Sequence, residues 1–187
     1  MNQLLLHVCC LPCLYKTYEH YKLRFENITL YYNNWNIFPK TEYDKRLNFV
    51  AKFAKNNNIP IIINDYYYLD DSAENEKTEL INMWTQVFQK TCNKCYYHRF
   101  NFLAVEAKRK NFTHIASTLF ISPYQDNKLL NEAILMVANE HHIQFCNDDL
   151  RHLFKESLNI ARKNHIYIQN YCGCKASMRK TAQEYFF

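Results

Sequence analysis

Glycine is nearly missing from this sequence: Gly173 is the only one in 187 residues. No Gly/Ser linker, low-complexity tract or internal repeat divides the chain, so the expectation is one domain over residues 1–187. Long apolar runs are missing too. None reaches the roughly 18 residues of a membrane span. The Leu4-Leu5-Leu6 run before His7 is too short for the apolar region of a secretory signal. These absences lead to the expectation of a cytoplasmic protein with no membrane partner, in a compartment that keeps thiols reduced. Disorder is excluded by a hydrophobic content of 48%. The formal charge of +5 permits a polyanionic partner without demanding one.

Cysteine is what the chain does hold. Seven of its eight cysteines fall into three groups: Cys9-Cys10-x-x-Cys13, Cys92-x-x-Cys95 and Cys172-Gly173-Cys174. In a reducing compartment such groups read as metal ligands or redox thiols, not as a disulfide scaffold. Cys146, alone in Ile143-Gln144-Phe145-Cys146, reads as a small buried hydrophobe. The single glycine stands between two thiols, where its access to unusual backbone angles lets a tight loop aim both sulfurs one way.

Apolar runs and helical periodicity alternate along the chain. Strands are expected at Leu4–Cys9, Ile28–Tyr32, Ile59–Asn64, His114–Leu119 and Ile143–Cys146. Helices are expected from Pro12, over Thr41–Asn57 with Thr41 as cap, over Asp71–Gln89, Asn93–Lys110, Asn127–His141 and near Asp149–Lys163. This alternation predicts a single α/β domain of Rossmann-like or adenine-nucleotide-hydrolase-like type. Its sheet is mainly parallel with helices on both faces. Cys9 and Cys10 then lie at the carboxyl end of the first strand, the edge where open α/β sheets place their sites.

A strand end that turns into a helix directs adjacent thiols to one side, and the first helical turn brings Cys13 back towards them. Cys92 and Cys95 open another helix in the same way. The positive helix end favours thiolates. Four thiolates from two such pairs suit zinc or an iron–sulfur cluster, and spacing alone does not choose between them. The adequate core and the surplus cysteines lean towards iron–sulfur chemistry. A disulfide between Cys172 and Cys174 would close a very small, strained ring, which suits a shuttle more than a staple. Further cluster ligation by these two is the competing reading.

The motif Leu6-His7-Val8-Cys9-Cys10-Leu11-Pro12-Cys13 resembles the opening of the cobalamin-independent epoxyqueuosine reductases. The likeness continues through Tyr32-Asn33-Asn34-Trp35-Asn36-Ile37-Phe38-Pro39 and Glu42-Tyr43-x-x-Arg46. It extends to Cys92-x-x-Cys95-Tyr96-x-x-Arg99, Ser117-Thr118-Leu119-x-Ile121-Ser122-Pro123-Tyr124-Gln125 and Tyr171-Cys172-Gly173-Cys174. The resemblance implies reduction of epoxyqueuosine to queuosine at the anticodon wobble position of tRNA. The epoxide loses its oxygen as water, consuming two electrons and two protons from an unidentified electron donor. It implies a [4Fe–4S] cluster on Cys9, Cys10, Cys92 and Cys95, with Cys13 as the ligand of a further iron. It also implies a redox-active pair at Cys172 and Cys174. The chain departs from the family pattern at Trp35, where proline is expected, at Lys90-Thr91 before Cys92, and at Cys13, a position shared by cysteine and aspartate.

In this reading an iron with an open position acts as a Lewis acid on the epoxide oxygen. Tyr32, Tyr124 and His7 are the candidate proton donors. Tyr32, Asn34, Arg46, Arg99, Tyr124 and Gln125 are the candidate substrate contacts, with Arg46 and Arg99 for phosphate or base edges. Trp35, Tyr32 and Tyr124 are candidates for stacking on an unstacked base. The basic runs Lys108-Arg109-Lys110 and Lys175, Arg179, Lys180 offer backbone contacts. The competing expectation is a zinc-stabilised nucleic-acid-binding module without catalysis.

Overall fold

The computed structural model describes residues 2–64 and 92–178. The helix expected over Asp71–Gln89, the Lys90-Thr91 departure and the basic residues Arg179 and Lys180 lie outside the described residues.

Among the described residues five parallel strands form one sheet: β1 (Gln3–His7), β2 (Asn27–Tyr32), β3 (Ile61–Ile63), β4 (His114–Ser117) and β5 (Gln144–Phe145), in the order β3-β2-β1-β4-β5. Leu4, Leu5 and Leu6 on β1 are all fully buried, so the central strand is covered on both faces. That is why its sequence is a continuous apolar run and not an alternating one. The α-helices with both ends among the described residues are α1 (Leu11–Lys22), α2 (Lys40–Asn56), α3 (Cys92–Arg109), α4 (Asn127–His141) and α5 (Phe154–Lys163). Helix α1 packs on α5 and α2, while α3 packs on α4, giving the two layers that enclose the sheet.

Most expected elements are found with shifted ends. The first strand stops at His7, so Val8, Cys9 and Cys10 form the turn into α1. The fourth strand stops at Ser117, where its side chain accepts from the Leu119 N–H and starts a 3-10 turn over Thr118–Ile121. Thr41 is not the cap of α2; the helix begins at Lys40 behind Pro39, with no side-chain cap. Helix α4 begins where expected, capped by Asp126, whose carboxylate accepts from the Leu129 N–H. Helix α5 starts at Phe154 after a short 3-10 turn over Arg151–Leu153, later than the pattern suggested.

This order carries a topological consequence. The chain winds from β1 through β2 to β3 on one side, then returns to β4 on the other side of β1. The switch point therefore lies between the carboxyl ends of β1 and β4, where the loops diverge and leave a crevice. The residues that leave those two strand ends are Val8-Cys9-Cys10 and Thr118.

Candidate metal centre and cysteine loop

At the switch point, Cys9, Cys10 and Cys13 converge, with all three sulfurs within 4.8 Å of one another and all three residues buried. The backbone explains the convergence. Val8 N–H donates to the Tyr31 carbonyl at 2.9 Å and the Asn34 amide donates to the Val8 carbonyl at 2.8 Å, which fixes the exit of β1. Cys9 N–H donates to Thr118 Oγ1 at 3.0 Å, tying the turn to β4's end. Ser157 on α5 donates to the Pro12 carbonyl at 2.6 Å and so holds the first turn of α1, which carries Cys13.

The sulfurs have their own donors. Thr118 Oγ1 donates to Cys9 Sγ at 3.3 Å, and the Gln169 amide donates to Cys10 Sγ at 2.8 Å. Hydrogen bonds from the Cys10 and Cys13 thiols, with Thr118 and Arg99 assisting, hold Cys9 well below the usual thiol range. Burial pushes Cys10 up to about 12. Cys13 is raised well above its ordinary value by its hydrogen bonds to Cys10 and Cys9 and by burial. Thiols must be deprotonated to ligate, so a cation entering this triad displaces protons. The triad suits a thiophilic metal.

Cys92 and Cys95 are not part of that tight set. Cys92 is the exposed first residue of α3, and Cys95 lies buried one turn further on. Burial raises Cys95 to about 11 against the opposing pull of Arg99. Arg99 is the link between the two groups. It is 4% exposed, lowers the pKa of both Cys9 and Cys95, and donates to Asn34 Oδ1. A second contact from the same nitrogen reaches His7 Nε2 at 3.2 Å. Its Nε is buried with no hydrogen-bond partner among the described residues. A buried guanidinium N–H with no partner among the described residues, on an arginine whose charge acts on Cys9 and Cys95, is what an anionic thiolate–metal group would satisfy. Donor set and orphaned donor both fit such a group.

His7 is fully buried. Because Arg99 can only donate, His7 Nε2 accepts and Nδ1 carries the proton towards Ser117 Oγ at 2.8 Å. Burial, then the Arg99 charge, lowers its pKa to about 3. The ring is therefore neutral, with its proton held by the scaffold.

Cys172 and Cys174 are free thiols with sulfurs 3.6 Å apart, and no disulfide joins them here. Their loop is clamped to the β2–α2 connection. Arg46, 2% exposed, donates to the Cys172 and Tyr171 carbonyls, each at 3.1 Å, and to Glu42 Oε1 at 2.6 Å. Tyr167 OH donates to the other Glu42 oxygen at 2.8 Å. Phe38 N–H donates to the Gly173 carbonyl at 2.8 Å, and Tyr171 OH donates to the Phe38 carbonyl. Gly173 has φ +122°, and a Cβ there would lie 2.9 Å from Ile37 Cγ1 and 3.3 Å from Arg46 Nη1. Glycine is required here both for its angle and for the close approach.

The remaining candidates divide by burial. Tyr32 is fully buried, its ring edge against Tyr43 and its OH donating to the Tyr43 carbonyl at 3.3 Å. Asn34 is fully buried and bridges Val8 to Arg99. Trp35 is buried against His98 and presents no free face. Gln125 accepts from Tyr96 OH at 2.9 Å. Tyr124 alone among the aromatic candidates is open, at 82% exposure, with its ring edge on Phe154. The Lys108-Arg109-Lys110 run closes α3, whose 18 residues put it about 25 Å from the Cys92 end. Cys146 is buried, as expected for a core residue. Sequence reasoning missed Gln169, Tyr167 and Ser177, and it placed Glu42 in a motif without a role. Ser177 had a signal, one helical turn beyond Cys174; Gln169 had none.

No helix among the described residues is long and apolar enough to cross a membrane. Comparison with known proteins agrees with the site. The sequence model of the family "Epoxyqueuosine reductase QueH" matches residues 4–180. A protein of that name from Streptococcus pyogenes is 29% identical over 91% of this chain and 68% of its own length. One from Dehalococcoides mccartyi is 26% identical over 92% of this chain and 90% of its own length. One from Haemophilus influenzae is 30% identical over 95% of this chain and 72% of its own length. With a match that runs from β1 to beyond the cysteine loop, the chain belongs to the epoxyqueuosine reductase QueH family.

Proposed function

We propose that this chain is an oxidoreductase that reduces epoxyqueuosine to queuosine in the anticodon of tRNA, an epoxide deoxygenation that consumes two electrons and two protons. The observation that carries the reading is the buried Cys9, Cys10 and Cys13 triad at the switch point of a chain that belongs to this family. The zinc-stabilised binding module without catalysis is not favoured, because the related proteins bear the name of a reductase.

Cys9, Cys10, Cys92 and Cys95 would hold a [4Fe–4S] cluster, with Cys13 available to a further iron. Such a group supplies electron storage and a Lewis-acidic iron. The protein's own part is to keep the sulfurs oriented and the centre positively framed. Thr118 and Gln169 donate to two of the sulfurs, and hydrogen bonds of this kind tune a metal centre. Arg99 is buried and turned towards the thiols and Asn34, so its role is electrostatic framing in place of phosphate pairing. Arg46 likewise holds the cysteine loop. Tyr32 and His7 are sequestered, each with its proton held by the scaffold, which leaves Tyr124 as the exposed candidate for base stacking. The Cys172 and Cys174 dithiol carries two electrons and two protons, the number the deoxygenation consumes, and it would deliver them as it becomes a disulfide.

The test is complementation. A bacterium lacking its own epoxyqueuosine reductase should regain queuosine in its tRNA when it expresses this chain, and not when it expresses Cys9→Ser. Epoxyqueuosine that persists beside abundant wild-type protein would overturn the proposal.

A further inference from the structure

The two thiols of the loop are not equivalent. Cys172 is exposed, whereas Cys174 is partly covered. The Ser177 N–H donates to Cys174 Sγ at 3.4 Å. The Ser177 hydroxyl lies 3.1 Å from Cys172 Sγ and 3.4 Å from Cys174 Sγ, and is itself fixed by donating to the Cys174 carbonyl at 2.9 Å. The loop that presents this pair is held by Arg46 and by the close approach of Gly173 to Ile37, so the asymmetry is built into the fold.

From this geometry we infer that the external electron donor is a protein dithiol that attacks Cys172 of the oxidised pair and expels Cys174 as the leaving thiolate. The inference rests on the reading of Cys172 and Cys174 as a redox pair. Thiol–disulfide exchange needs an accessible sulfur to attack and a stabilised thiolate to leave, and the rate rises as the leaving group becomes more acidic. Cys172, the more exposed residue of the pair, meets the first need, and Cys174, with the Ser177 N–H on its sulfur, meets the second. In the mixed disulfide Cys172 has no S–H to give, so the Ser177 N–H is the donor that remains on the leaving Cys174 thiolate.

The electron count closes. A donor thiolate forms a bond to Cys172 Sγ as the Cys172–Cys174 bond breaks, and the electron pair of that bond stays on Cys174. The donor's second thiol, losing its proton, attacks the donor sulfur of the mixed disulfide and releases Cys172. The donor ends as a disulfide. The pair ends as a dithiol, having gained two electrons and two protons. Donors of hydride or of single electrons have no need of an exposed sulfur paired with a hydrogen-bonded leaving group.

The experiment uses the full chain with its metal centre loaded, mildly oxidised without free oxygen. The probe is a thioredoxin in which the resolving cysteine of its CxxC pair has been replaced by serine, so that the mixed disulfide persists. Fragment mass spectrometry reads which cysteine carries it. The expected result is an adduct on Cys172 in about tenfold excess or more over Cys174, since access and leaving group favour the same direction. An adduct mainly on Cys174 overturns the assigned direction, and a disulfide that forms yet yields no adduct overturns the dithiol donor. Oxidation that produces no Cys172–Cys174 disulfide at all sinks the redox-pair reading itself, and the mass of the protein before probe addition separates that failure from the other two.

Discussion

Replacing Arg46 should release the cysteine loop before it harms the rest of the fold. In the native protein its guanidinium is almost wholly buried and meets Glu42, the Tyr171 carbonyl and the Cys172 carbonyl. Arg46→Ala leaves Glu42 with Tyr167 OH as its one remaining partner and strands two carbonyls. Removing one partner of a buried ion pair costs about 3–5 kcal/mol. For a chain of this size that lowers the melting temperature on the order of 10 °C. Arg46→Lys keeps the charge but loses the fork that spans two carbonyls, so it should cost about 1–3 kcal/mol and still loosen the loop. The double variant Glu42→Gln/Arg46→Met separates the two effects. Without a buried charge it should regain most of the stability while leaving Tyr171 and Cys172 unclamped. The assays are thermal unfolding, tryptic cleavage at Lys175 and turnover, measured side by side. The double variant should be stable yet cleaved faster and slow in turnover. Wild-type cleavage and turnover in Arg46→Ala would refute the clamp.

Gly173→Ala should destabilise the loop by about 1–3 kcal/mol, because alanine at φ +122° is strained and its Cβ meets Ile37; unfolding curves check this, and trimming Ile37 to alanine should restore only part of the loss. The reactivity of Cys174 should follow its depressed pKa. Its thiolate should alkylate in native protein from a pH near about 5 upwards, against the ordinary 9.0 in unfolded protein. The stabilisation that accompanies this shift is fully present above 9.0 and is lost as pH falls through about 5. Binding of tRNA should weaken as salt rises, since phosphate contacts release counterions. Tyr124→Ala should weaken it further by about 1–3 kcal/mol if the ring stacks on a base, and an unchanged affinity in a filter-binding assay would remove Tyr124 from the interface.

The sheet was legible because β1 and β4 are short apolar runs whose neighbours break the pattern, and because α4 carries a clean apolar face behind the Asp126 cap. The cysteine groups were legible from spacing. The partners were not. Arg46 and Arg99 read as contacts for phosphate or base edges because a cation inside a helix pattern gives no local sign that buried carbonyls, an amide and thiols wait for it across the fold. Trp35 and Tyr32 read as loop aromatics for stacking, yet both fill the space behind the β2 exit, where burial of large rings outweighs exposure. Gln169 reaches Cys10 across 159 positions, a contact that only the tertiary path of the tail creates. The ends of the first and fourth strands were overextended because Val8, Cys9, Thr118 and Leu119 are apolar or β-branched, while their hydrogen bonds belong to the site's turns.

The most direct measurement is turnover by purified protein, loaded with iron and sulfide without oxygen, on tRNA containing epoxyqueuosine, followed by nucleoside mass detection. The account predicts conversion to queuosine with loss of one oxygen atom by the wild type. It predicts colour and conversion lost together in Cys9→Ser, and colour kept while multiple turnover is lost in Cys172→Ser and Cys174→Ser. Colourless protein that binds only zinc and leaves epoxyqueuosine intact would contradict it.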